Sequence, residues 1–220
     1  MPETEDLLPR PFFARAAHEV APDLLGHVLI SDAGGDTVAL RITEVEAYEG
    51  GEDPASHGWR GQTPRNNSMF GPPGHLYVYW IYGMHHAANL VCGAEGESHA
   101  VLVRAGEVIA GTATAAERRP AARSPRDLAR GPGRLADALA ITRDLDGSDL
   151  CDPGSAVRVA RGRPVTPDRV LSGPRTGVSR AQDVPWRFWT ATDPTVSPFR
   201  RHTARRRGRP TQQAQDKREG

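Results

Sequence analysis

The sequence predicts an α+β fold: a single compact domain built on a mainly antiparallel sheet, flanked by helices and long loops. Three observations carry this. Short apolar or alternating runs recur along the chain, each closed by Gly, Pro, Asn or Asp, the pattern of strands joined by turns. Gly (23) and Pro (19) are abundant in 220 residues, which favours loops over long helices. No internal repeat or linker interrupts the chain, and its length suffices for one domain with a real core.

The elements follow in order. Residues 1–11, with Glu3, Glu5 and Asp6, read as a loose leader. Residues 14–21 read as a helix ending at a Pro22-Asp23 turn, and Gly26 to Ile30 as a strand. After a turn at 32–35, Thr37 to Glu46 alternates as a strand, so a hairpin leads into Glu46. Residues 49–74 are rich in Gly, Pro and Asn, a long loop of the kind that is functional or disordered. Tyr77 to Tyr82 and Ala87 to Cys92 read as two strands joined at Gly83-Met84, and His99 to Arg104 as another. Gly131-Pro132-Gly133-Arg134-Leu135 opens a helix of about ten residues, because Pro fits a first turn. Residues 155–170 read as a short strand pair around Val157-Arg158-Val159, and Trp186-Arg187-Phe188-Trp189 as an apolar anchor. The domain thus spans 12–200, and residues 201–220 read as a basic, disordered tail.

The net charge is only +1, yet arginines cluster at 118–134 and 200–209, so local basic stripes are available for phosphates. Two cysteines, Cys92 and Cys151, form neither a disulfide framework nor a CxxC pair, which fits a reducing, cytoplasmic setting. Residues 1–10 lack the apolar stretch of a signal peptide, and no apolar run approaches a membrane span. His75, His85, His86 and His99 show no standard zinc spacing, so neither metal nor cofactor is expected.

Glu46-Ala47-Tyr48 and Leu76-Tyr77-Val78-Tyr79-Trp80-Ile81-Tyr82 carry the chemistry. Tyrosine offers a flat face and a polar handle. Tyr77 and Tyr79 share a strand face at period two, and Tyr82 follows at the strand's end. A carboxylate among such rings suits a site that holds a planar polar ring and hydrolyses a bond to it. Taken alone, Glu46 reads as a surface carboxylate and the tyrosines as ordinary strand aromatics. The surrounding run reverses that.

That run resembles the alkyladenine (3-methyladenine) DNA glycosylase family. The resemblance is carried by Glu46-Ala47-Tyr48-Glu49-Gly50, Ala55-Ser56-His57, Arg60-Gly61-Gln62-Thr63-Pro64-Arg65-Asn66, Pro73-Gly74-His75-Leu76-Tyr77-Val78-Tyr79, Ile81-Tyr82-Gly83-Met84, Asn89 and Val101-Leu102-Val103-Arg104-Ala105, then by Gly131 to Leu135 and Pro185 to Phe188. It covers roughly residues 10–200. It implies a bacterial-type, monomeric enzyme with a curved sheet, acting in the nucleoid on double-stranded DNA that contains damaged purines. Glu46 is similar to the family's general base, Arg104 to the residue that helps hold the attacking water, and Tyr48, His57 and Tyr79 to the pocket for the flipped base. Tyr82 matches the wedge that fills the gap in the duplex, and Asn89 the position that screens exocyclic groups. Arg60, Arg65 and Arg134 are the candidates for contacts to the DNA backbone. Gly51 stands where Pro is commoner in the family, and Trp80, His85 and His86 fall in a variable segment.

The physics agrees with that resemblance. Chemistry on a base inside a duplex needs extrusion, at a few kcal/mol, which an aromatic wedge offsets. Strand nicking by a glycosylase needs an amine nucleophile. The only lysine is Lys217, in the tail. Pro2 is the remaining candidate; Met1-Pro2-Glu3 resembles the opening of the formamidopyrimidine glycosylases, but nothing downstream does. A monofunctional enzyme that leaves an abasic site is therefore expected. Two rivals are a non-catalytic damaged-DNA or RNA binding module, which has no use for Glu46 with Arg104, and a metal-dependent hydrolase using the histidines.

Overall fold

The computed structural model of the chain describes residues 6–81, 83 and 85–203. Eight antiparallel strands form one sheet: β1 (Val28–Ser31), β2 (Val38–Glu49), β3 (Leu76–Ile81), β4 (His85–Cys92), β5 (His99–Ala110), β6 (Val157–Ala160), β7 (Val170–Gly173) and β8 (Arg187–Thr190). Among the described residues, four α-helices accompany them: α1 (Arg10–Phe13), α2 (Ala17–Leu24), α3 (Thr112–Arg118) and α4 (Pro132–Ala138). The α+β class and antiparallel sheet match the sequence expectation.

The sheet runs β3-β4-β5-β2-β1-β6, with β8 joined to β2 and β7 to β8. The twelve-residue β2 is the hub. One edge pairs with β5 along its length; the other pairs with β1 at Val38–Arg41 and with β8 at Glu44–Glu46. A central strand with both faces covered is nearly all buried, which is why its polar residues need internal partners. Val20, Ala21 and Leu24 of α2, Leu135 and Ala138 of α4, and Leu40, Val45, Leu90 and Val103 of the sheet share the main core.

The register sets a row across five strands. Tyr77 pairs with Asn89, Asn89 with Leu102, Leu102 with Glu46, and Glu46 with Arg187. Directly paired residues point to one face of an antiparallel sheet. The pairs Val45↔Val103 and Glu44↔Ala105 leave Arg104 as an extra residue on β5. Such a bulge re-aims a side chain.

Several expectations are corrected. Residues 6–11 are not loose. Leu7 bridges to Ala160, the Leu8 N–H donates to Val159 O at 2.8 Å, and Arg10 pairs with Asp149 at 2.6 Å. The buried Leu8 drives this docking. Pro22 lies inside α2 instead of ending it. Strand β5 continues to Ala110, and α3 follows it. The helix opened by Gly131-Pro132 has seven residues. Residues 155–170 form no local pair: β6 pairs with β1, and β7 with β8. Pro164 and Pro167 lie between them and have no N–H to donate. The Trp186–Trp189 anchor is largely strand β8. Most of the tail expected at 201–220 lies outside the described residues.

Candidate active site

Four strands build one pocket of about 280 Å³, near the low end of the size of small-ligand sites. Glu46 and Tyr48 come from β2, Tyr77 and Tyr79 from β3, Asn89 from β4, and Leu102 and Arg104 from β5. His57 and Met69 of the long loop and Thr176 to Ser179 complete the wall. Of the residues singled out from sequence, Glu46, Tyr48, His57, Tyr79, Asn89 and Arg104 all line this pocket. Tyr82 lies outside the described residues; Gly83, beside it, is at the turn between β3 and β4.

The Glu46 side chain is fully buried and held from three directions. Tyr48 donates its hydroxyl to Oε2 at 2.9 Å, the Thr176 N–H donates to Oε1 at 2.6 Å, and Arg104 Nη1 lies 3.3 Å from Oε2. Burial, then the Glu46 charge, raises the Tyr48 phenol well above its ordinary pKa, so it stays a donor. Arg104 is raised as well: burial opposes its charge, but Glu46 and Glu44 outweigh that.

Behind Glu46 lies a second buried carboxylate. Glu44 accepts from Arg104 Nε at 2.8 Å, Arg187 Nε at 2.7 Å, and Ser197 N–H at 2.6 Å. Burial alone would raise Glu44, yet Arg104 and Arg187 hold it below the usual carboxylate range. Arg104 thus bridges both carboxylates, and the bulge at its position turns it toward them.

The aromatic wall is tightly interlocked. Tyr77 and Tyr79 stack with centroids 5.6 Å apart, and His57 meets the Tyr79 ring edge-on at 4.3 Å. His57 Nδ1 lies 3.0 Å from the Tyr77 hydroxyl. Although the residue sits exposed at the mouth, desolvation of its ring and then the Arg65 charge lower its pKa, favouring neutral imidazole. Burial pushes the Tyr77 phenol up to about 12. The His57 loop is pinned by Asn66, whose Nδ2 donates to His57 O at 2.9 Å. Asn89 Nδ2 donates to Tyr77 O at 3.0 Å, so its amide is held rigidly at the pocket floor.

The three backbone candidates do not line the pocket. Arg60, Arg65 and Arg134 are exposed. Arg60 lies over the Trp59 ring, 5.5 Å from its centre. Arg134 lines a neighbouring cleft of about 440 Å³ with Arg130, Arg200 and His85, and this cleft shares Arg104, Pro132 and Thr176 with the pocket. A cationic groove that opens into a base-sized pocket suits a phosphate strand running past it.

Sequence reasoning missed Glu44, Asp53, Arg175, Thr176, Arg187 and Ser197. Glu44 carried a signal: it is two residues before Glu46 on the same strand, so both carboxylates share a face of β2. Arg175 and Thr176 are about 130 positions from their β2 partners and sit in an irregular segment, which no periodicity flags. Among the described residues, no group of three or more His, Cys, Asp or Glu side chains is arranged to hold a metal ion. No described helix is long and apolar enough to cross a membrane.

The sequence matches the family described as methylpurine-DNA glycosylase over residues 11–194. It is 57% identical over 202 residues to a Streptomyces avermitilis protein named "Putative 3-methyladenine DNA glycosylase", covering 91% of this chain and 95% of the relative. Proteins of the same name from Leifsonia xyli (49% over 203 residues; 89% and 93% covered) and Burkholderia cenocepacia (47% over 182 residues; 83% and 86%) are similar too. With the pocket's geometry, this coverage establishes that the chain belongs to the methylpurine-DNA glycosylase family.

Proposed function

We propose that the protein is a monofunctional DNA glycosylase that flips alkylated or deaminated purines out of duplex DNA and hydrolyses their N-glycosidic bond. The observation that carries this is the Glu46 carboxylate, buried at the base of an aromatic pocket and held by Tyr48, Thr176 and Arg104. A carboxylate fixed this way accepts a proton from water without reorienting.

The step balances simply. Water oxygen bonds to the sugar C1′, its proton passes to Glu46, and the C1′–N bond breaks with its electron pair leaving on the purine. A cationic base methylated at N3 or N7 departs neutral. A neutral purine such as hypoxanthine needs a proton as it leaves. Tyr48, Tyr79 and His57 are the rings for the flipped base, Asn89 is the contact to its edge, and Tyr82 is the wedge. Arg134, Arg60 and Arg65 meet the backbone, acting as a monomer on double-stranded DNA. Each electron-rich ring attracts a cationic purine by roughly 0.5–2 kcal/mol.

The test is incubation with duplexes bearing one hypoxanthine or one 7-methylguanine, in EDTA, with gel analysis before and after hot alkali. Base release with a strand break only after alkali fits the reading. Breaks without alkali would overturn the monofunctional part, and no release from either a hypoxanthine or an alkylated duplex would overturn the enzyme.

A further inference from the structure

Three carboxylates and three guanidiniums form a buried layer at and behind the pocket wall. Glu44 pairs with Arg104 and Arg187, Glu46 with Arg104, and Asp53 with Arg175; none of the six side chains is more than 8% exposed. The first four groups meet around Glu44 and Glu46. Arg175 pairs with Asp53 instead and lies against the Tyr48 ring.

Arg175 is fully enclosed and reaches three pieces of the site at once. Its fork grips Asp53, with Nη2 to Oδ1 at 2.8 Å, and Nη1 donates to Ala47 O at 2.9 Å, between Glu46 and Tyr48. Asp53 also caps the turn toward His57, accepting from the Ala55 N–H at 3.0 Å. The residue after Arg175 gives its N–H to Glu46 at 2.6 Å. The guanidinium lies 4.7 Å from the centre of the Tyr48 ring and 5.2 Å from Trp186. Tyr48 and Thr176 line the pocket and Arg175 does not, so the cation covers the ring's buried face and leaves the other face to a ligand.

We propose that Arg175 is a positioning and selectivity residue. It locks Tyr48, the His57 loop and the Thr176 amide into one unit, and its charge behind Tyr48 weakens that ring's pull on a cationic base, so neutral purines compete. A ring that already holds a cation on one face gains less from a second on the other, because the two repel across a poorly screened layer. The proposal rests on the glycosylase reading above.

The experiment measures single-turnover release of 7-methylguanine and hypoxanthine from matched duplexes by wild type, Arg175→Lys, and the double variant Asp53→Asn with Arg175→Met. The double variant avoids leaving Asp53 buried and unpaired and removes two opposite charges together, so a changed ratio reports the guanidinium's place against the Tyr48 ring and not a change in net charge. Its ratio of 7-methylguanine to hypoxanthine release is expected to rise by about 3-fold to 30-fold. Arg175→Lys keeps the charge and loses the fork. Both rates should fall by about 10-fold with the ratio within about 2-fold of wild type. Equal slowing on both bases in the double variant would reduce Arg175 to a structural staple and overturn the selectivity claim. If thermal melting shows that the double variant does not fold, Arg175→Lys decides: wild-type rates would overturn positioning, and a shifted ratio would overturn the role of charge. Wild type releasing neither base is a failure of the glycosylase reading, visible before any variant is compared.

Discussion

Tyr48 donates its hydroxyl to Glu46, 2.9 Å away and two residues back along the same strand. The Tyr48 ring and the Glu46 carboxylate, both in the pocket wall, are therefore one rigid piece. Period two on β2 puts both on the pocket side, and the pairs Glu46↔Leu102 and Tyr48↔Ala100 fix the strand that carries them. Orientation of the carboxylate is a property of the sheet and needs no ligand.

Tyr48→Phe keeps the ring and removes the donor. Hydrogen bonds to charged groups are worth about 1.5–3 kcal/mol, so the excision rate should fall by roughly 10-fold to 100-fold with lesion binding nearly unchanged. Single-turnover kinetics alongside a binding titration separate the two. Because the Tyr48 pKa lies well above 10, wild-type activity should show no loss from phenol ionisation up to about pH 10.

Glu44→Gln leaves Arg104 and Arg187 short of a buried anion. Breaking such a pair costs roughly 3–5 kcal/mol, to be read from the urea midpoint. Any activity that survives should be lower too, since Arg104 loses one of the two carboxylates that aim it.

Arg134→Ala is expected to do the opposite. The residue is exposed on the cleft beside the pocket, so stability should stay within about 0.5 kcal/mol. Affinity for undamaged duplex should drop, and the slope of log affinity against log salt should shrink by about one. An unchanged salt slope would remove Arg134 from the DNA path.

A pH window follows from Glu49, which accepts from His18 at 2.6 Å and contacts His99, at the start of the His57 loop. Burial opposes the Glu49 charge, but His99 and His18 lower it from 4.5 to about 2; that stability is present above 4.5 and is lost as pH falls toward 2. The Glu49 bond raises His99 above 6.5 against the effect of burial, with Glu97 and Glu52 adding to it; that stability is full below 6.5 and is lost as pH rises through the raised value. Both contributions coincide between 4.5 and 6.5. His99→Gln should therefore destabilise by on the order of 1–2 kcal/mol near pH 6 and by less near pH 9. Melting curves across that range provide the check.

Much of this was legible in sequence where local pattern and chemistry coincide. Glu46, Tyr48 and the Tyr77–Tyr79 alternation stand on strands whose period is visible, and the sheet brings them to one face. The boundaries of β5 and the partner of β6 were not legible, because pairing is decided by which edge is free and where proline interrupts it. Arg175 and Thr176 were invisible for a different reason. Their roles come from an irregular segment folding back on β2, and an arginine among so many carries no mark of being the buried one. Residues 6–11 show the converse: a buried Leu8, a backbone bridge at Leu7 and the Arg10–Asp149 pair dock residues that composition reads as part of a leader.

The most direct measurement is single-turnover release of 3-methyladenine and of hypoxanthine from duplex DNA in EDTA, wild type beside Glu46→Gln. Glutamine keeps the shape and much of the hydrogen bonding but cannot take the water's proton. Release by wild type and a loss of about 100-fold or more in Glu46→Gln is the predicted result. Equal release by the two proteins would contradict the assignment of Glu46 as the general base.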